Sequence, residues 1–117
     1  MNYGWIKLHR SLLDNPHASD PDWLAVWIYL MLNATHARES HTIKHAGLLM
    51  RLGAGQLITN RFEIADKMGV EPSKVYRVLK LMESEQQIEQ QPCNKSTMIT
   101  VLNWSTYQKV NNKVNSD

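Results

Sequence analysis

The sequence predicts an α+β domain in which two short amphipathic helices, joined at a glycine, are followed by a β-hairpin. Three observations carry this expectation. In NRFEIADKMGVEPSKVYRVLKLME, residues 60–83, two stretches of helical apolar period flank Gly69, and the second opens at Pro72. Ile88–Gln91 and Thr97–Leu102 then read as strands on either side of a loop, Pro92–Ser96. A chain of 117 residues has the length of one domain. Strand, helix, helix and hairpin in that order make a winged helix-turn-helix, here with an N-terminal extension and the hairpin as a C-terminal wing. The domain is expected over residues 1–108.

The extension begins with GWIKLHRSLL, residues 4–13, which alternates and then turns helical. Ile6 and Leu8 suit one face of a short strand. Leu12 and Leu13 continue an apolar face up to the Asn15-Pro16 break. Ser19 or Asp20 caps the next helix. Pro21 fits its first turn, and Asp20 and Asp22 favour the positive end of its dipole. This helix is expected to run to about Ala34. From Trp23 to Leu32 it is apolar nearly all round, so it is buried on more than one side. Either the N-terminal segment or a second protomer covers the further face. The expectation is a homodimer or higher homo-oligomer, with both elements at or beside the interface.

Residues 36–49, HARESHTIKHAGLL, are polar and read as a loop. Met50–Leu52 and Gln56–Ile58 are short strands flanking the turn Gly53-Ala54-Gly55. Thr59 is an N-cap for the helix containing Arg61–Met68, with Glu63 near the capping-box position. Residues 109–117 hold a small repeat, KVNN then KVNS, with little to bury. They read as a disordered tail or the start of a linker in a longer chain.

Within residues 60–83 each choice has a physical reason. Ala65 is small because the second helix crosses close to it. Gly69 ends the first helix, where a left-handed conformation costs glycine nothing. Val70 packs under the turn, Glu71 caps the second helix, and Pro72 suits its first position. Val75, Val78, Leu79 and Met82 fall at i, i+3, i+4 and i+7, a single buried stripe. The other face carries Ser73, Lys74, Tyr76, Arg77 and Lys80, with no carboxylate between Pro72 and Met82. In a helix-turn-helix that face enters the DNA major groove. Arg77 can reach guanine O6 and N7 as a fork, and Lys74 and Lys80 suit guanine or phosphate. Asn94, Lys95 and Ser96 in the wing loop can touch backbone or minor groove. Gathering basic residues on one helix matters because the formal net charge is only +2, too small for attraction spread over the whole surface.

Other classes have little support. One cysteine, Cys93, allows no intrachain disulfide or cysteine-based zinc site, and it reads as an ordinary loop thiol. Met1–Arg10 lacks the apolar run of a signal peptide, and residues 23–32 are about half a bilayer span, so a cytoplasmic location without membrane contact is expected. His36, His41 and His45 share one segment, but Thr42, Ile43 and Gly47 oppose the helix that would align them, and no metal is expected. Neither a catalytic constellation nor a phosphate-binding glycine loop stands out, so no enzyme activity and no cofactor are expected.

GWIKLHRSLLDNP at residues 4–16, LGAGQLITNRFEIADKMGV at 52–70 and TVLNWSTYQ at 100–108 resemble the N-terminal domain of phage replication initiators related to the DnaD primosome protein. The resemblance covers roughly residues 3–108. It implies a winged-helix fold, binding to double-stranded origin DNA, and a role in assembling the helicase-loading complex. It also implies self-association, and contact with helicase or its loader through a C-terminal region beyond this chain. It fixes no base-contacting residue. A winged-helix transcriptional regulator of phage or plasmid origin would use the same local chemistry, and a winged helix used only for assembly is a third reading.

Overall fold

A computed structural model of the chain describes residues 4–36, 41–45 and 47–108. The described residues form a compact α+β fold with four α-helices and two antiparallel sheets. Helix α1 (Pro21–Asn33) starts where expected, with Asp20 as its cap: Asp20 Oδ1 accepts the Asp22 N–H at 3.0 Å. Trp23, Val26, Trp27, Leu30 and Met31 are buried, a stripe at helical spacing. The Trp23 and Trp27 rings stack with centroids 5.8 Å apart, and Tyr107 meets Trp27 edge-on at 5.9 Å.

Helices α2 (Arg61–Met68) and α3 (Pro72–Ser84) pack on α1 and on each other. Gly69 takes φ 71° and donates its N–H to the Ala65 carbonyl at 2.9 Å, ending α2 as anticipated. Val70 is buried under the turn. Val75, Val78, Leu79 and Met82 form the buried stripe of α3. One cap differs from expectation. The α2 cap is Asn60, not Thr59: Asn60 Oδ1 accepts the N–H groups of Phe62 and Glu63, each at 3.0 Å. Thr59 is buried at the end of the preceding strand, where its hydroxyl donates to Glu63 Oε1 at 3.2 Å and lies 3.1 Å from Tyr29 Oη. Glu71 caps α3 with its backbone alone, the carbonyl accepting from Val75 N–H at 2.9 Å.

Five strands follow the order β1 (His41–His45), β2 (Leu48–Leu52), β3 (Gln56–Thr59), β4 (Ile88–Cys93) and β5 (Ser96–Val101). One sheet is the hairpin β1–β2, and the other has the order β3-β5-β4. The hairpin corrects the loop expected at residues 36–49. Its chain alternates: Ile43 pairs with Met50, both half-buried, while Thr42, Lys44, Leu49 and Arg51 are exposed. The strands flanking Gly53–Gly55 therefore belong to different sheets. Strand β4 extends to Cys93 and β5 begins at Ser96, so the expected five-residue loop shrinks to the turn Asn94-Lys95. Asn94 supplies the left-handed corner at φ 56° that asparagine tolerates. Pro92 is accommodated because β4 is an edge strand, where a missing N–H costs no ladder bond. Cys93 is half-buried at the end of β4 rather than loose in a loop, its thiol donating to Met50 Sδ at 3.4 Å.

The N-terminal segment forms no strand at Ile6–Leu8. Lys7 instead pairs with the side chain of buried Gln108, which accepts the Lys7 N–H and donates to the Lys7 carbonyl, both at 2.9 Å. One amide thus replaces a neighbouring strand. A 3-10 turn follows at Arg10–Asp14, whose pitch separates Leu12, packed on the core, from Leu13, 88% exposed. Helix α4 (Trp104–Tyr107), a single turn that the sequence pattern does not announce, buries Trp104. The tail expected at 109–117 lies outside the described residues. No described helix is long and apolar enough to cross a membrane.

Gly55 joins these parts. At φ 80° it donates its N–H to the Thr35 carbonyl and accepts from Val101, both at 2.8 Å. A Cβ there would lie 2.8 Å from Trp104 Cβ. At Gly69 an added Cβ meets nothing within 4 Å. Gly55→Ala should therefore cost about 2 kcal/mol or more, adding overpacking to left-handed strain, and Gly69→Ala about 1 kcal/mol from strain alone. Denaturant melts of the two variants check this ordering.

Candidate nucleic-acid interface

Helix α3 advances about 100° per residue. With Val75, Val78, Leu79 and Met82 turned inward, the centre of the opposite face falls on Ser73, Arg77 and Lys80, at i, i+4 and i+7. Ser73, Arg77 and Lys80 are all exposed. Lys74 and Tyr76 occupy the two shoulders, and each meets a different helix.

On the first shoulder, Lys74 is half-buried and reaches the N-terminus of α1. Its Nζ is 3.3 Å from Asp20 Oδ2 and 3.4 Å from Asp22 Oδ2. The Asp20 hydrogen bond is the largest influence on Lys74 and holds its ammonium above the ordinary value of 10.5. For Asp20, partial desolvation pushes the carboxyl up, but the Asp22 N–H and the Lys74 ammonium outweigh it and leave the group below 3.8. Lys74 thus ties α3 to α1, and its charge is offset before any ligand arrives. Spacing already puts it off the centre that Arg77 and Lys80 occupy, and the ion pairs set it further apart.

On the second shoulder, Tyr76 faces the first turn of α2. The Arg61 guanidinium carbon lies 5.2 Å from the Tyr76 ring centroid and 5.1 Å from that of Phe62. Lys80 Nζ lies 5.9 Å from the Tyr76 centroid. These separations suit cation–π attraction. Arg61 and Phe62 are not among the residues expected from the sequence. One signal for Phe62 is present in the sequence: it falls off the stripe of Ile64, Ala65 and Met68 that faces the core.

Asn94 and Lys95 form the exposed turn of β4–β5, and Ser96 is the half-buried first residue of β5. Beside this turn stands β1–β2. His45 Nε2 lies 3.4 Å from the Cys93 carbonyl oxygen, to which it can donate. Among the described residues no group of three or more histidine, cysteine or acidic side chains is placed to hold a metal ion. The surface offers cations, amide and hydroxyl groups and two exposed rings, a chemistry suited to phosphate and bases.

Comparison with protein-family models, with curated proteins and with solved structures finds no match.

The ion pair has a signed pH signature. A carboxyl whose folded pKa is depressed contributes stability above its unfolded value and loses it as pH falls through the folded value. The raised Lys74 contributes below 10.5 and loses its share only as pH rises through its folded value. Asp20→Asn keeps a good cap but removes the charge. It should lower the melting temperature at neutral pH, and the gap to the parent should close as pH falls below 3.8. Thermal melts from neutral to acid pH measure both effects.

Proposed function

We propose that this domain is a winged helix that binds double-stranded DNA, with α3 as the recognition helix and the β4–β5 turn as the wing. The observation that carries the reading is the line Ser73, Arg77 and Lys80 along the centre of the outer face of α3, opposite its buried stripe. A fork donor, a point charge and a hydroxyl on one accessible helix face suit guanine edges and phosphate oxygens. Asn94 and Lys95 project from the turn of the hairpin that directly follows α3, where they suit backbone contact. Lys74 plays a lesser part, because contact with DNA would exchange its Asp20 and Asp22 partners for phosphate.

The resemblance of residues 4–16, 52–70 and 100–108 to DnaD-related initiators supports origin binding in phage or prophage replication. The same three segments meet in the fold. Gln108 holds Lys7, and Gly55 packs against Trp104. The contacts that join them bear on stability, whereas α3 and the hairpin turn lie outside all three segments.

Self-association is part of the proposal. Trp5 is 81% exposed, and Leu8, Leu13 and Leu32 are also open to solvent. Large apolar side chains on the N-terminal segment and the end of α1 suit a second copy. Light scattering at tens of micromolar, a concentration adequate for about micromolar affinity, should give a dimer mass. Trp5→Ser with Leu13→Ser should shift it to monomer, whereas a monomeric parent would remove this part of the proposal.

The DNA reading is tested by Arg77→Ala with Lys80→Ala. Both side chains are exposed, so the fold should persist. Duplex affinity should fall by about tenfold or more, and the salt slope by about one unit for each phosphate no longer neutralised. Lys74→Ala should weaken binding less while lowering the melting temperature more. Anisotropy titrations at several salt concentrations report the first effect and thermal melts the second.

A further inference from the structure

The side of α3 facing α2 carries a group of residues of which duplex recognition uses only Lys80. Phe62 is 61% exposed and Tyr76 49% exposed, each off the buried stripe of its own helix. Arg61 lies within cation–π range of both rings, and Lys80 within range of Tyr76. The result is a continuous series, Phe62, Arg61, Tyr76 and Lys80, drawn from the first turn of α2 and the middle of α3. Phenylalanine offers no hydrogen bond, so the phosphate contacts expected of a helix N-terminus do not account for it.

We infer that Phe62 and Tyr76, with Arg61 and Lys80, form a stacking platform for the unpaired bases of single-stranded DNA. Three features support this occupant over an apolar one. The rings are interleaved with cations, which suits a ligand that presents a π-face and a phosphate together. A planar guanidinium already lies near both rings, so the site suits flat, delocalised groups. Arg61 and Lys80 leave the rings in a positive field, which repels a protein surface rich in cations and attracts a polyanion. Bases held in a duplex hide their faces in the stack, so the platform acts only on melted or single strands. The inference rests on the nucleic-acid reading above and extends it to a second ligand form on an adjoining surface.

The test uses a labelled mixed-sequence single strand of about 15 nucleotides, a length matched to small single-strand sites, and the duplex made by annealing its complement. Phe62→Leu keeps an apolar side chain but removes the ring, and Phe62→Tyr restores a ring. For the single strand, Phe62→Leu should bind about tenfold more weakly, and Phe62→Tyr within about twofold of the parent. Duplex binding by both should stay within about twofold of the parent, and circular dichroism melts should show both variants folded. Equal losses for both DNA forms, or no loss for Phe62→Leu, would overturn the platform. A parent that binds duplex but not single strand would overturn the platform and leave the duplex reading standing. A parent that binds only single strand would support the platform and overturn the duplex reading. Binding of neither form would overturn both.

Discussion

Val75, Val78, Leu79 and Met82 are each at most 5% exposed, and their burial with α1 and the β3-β5-β4 sheet fixes the rotation of α3 about its axis. Each such side chain contributes about 1.5–3 kcal/mol on burial. Exposed ion pairs and cation–π contacts are weaker individually, so they adjust the helix but do not set its orientation. Once the stripe faces inward, Ser73, Arg77 and Lys80 must face outward. Helix α1 is fixed in the same way: Trp23 and Trp27 are buried in the cluster that includes this stripe. The Gly55–Trp104 approach and the Gln108 bridge then close the N-terminal and C-terminal segments around that core.

Charge is distributed by this packing rather than by composition. A formal net charge of +2 would give only a weak overall field. Asp20 and Asp22 take up Lys74 on one shoulder of α3, while Arg61 is brought to Tyr76 on the other. The positive surface is therefore displaced from the α1 side toward α2. Its centre still lies on Arg77 and Lys80, but its edge is aromatic.

Much of the architecture is legible in the sequence because it depends on local patterns. The α1 start follows from Asp20-Pro21, the α2 end from Gly69, and the α3 stripe from its period. The β1–β2 hairpin is hidden because its polar, histidine-rich sequence resembles a loop and the inner pair Ile43 and Met50 is only half-buried. Thr59 and Asn60 are both good caps by residue type; the place of Thr59 at the end of β3, beside Tyr29, decides between them. The Lys7–Gln108 pairing joins residues at opposite ends of the domain, and the Lys74 ion pairs join α3 to α1. Neither has a signature in local sequence. For the candidate interface, the face of α3 is readable from its spacing, but the partners that Lys74 and Tyr76 meet on its two shoulders are not.

If DNA meets the α3 face opposite the buried stripe, the most direct measurement is amide chemical-shift mapping of the isotopically labelled domain during titration with duplex DNA. The largest shifts should fall on Ser73, Arg77 and Lys80 and on Asn94 and Lys95, with little change at Trp5, Leu13 or the solvent face of β1–β2. Shifts concentrated on those latter surfaces, or none at duplex concentrations well above the protein, would contradict it.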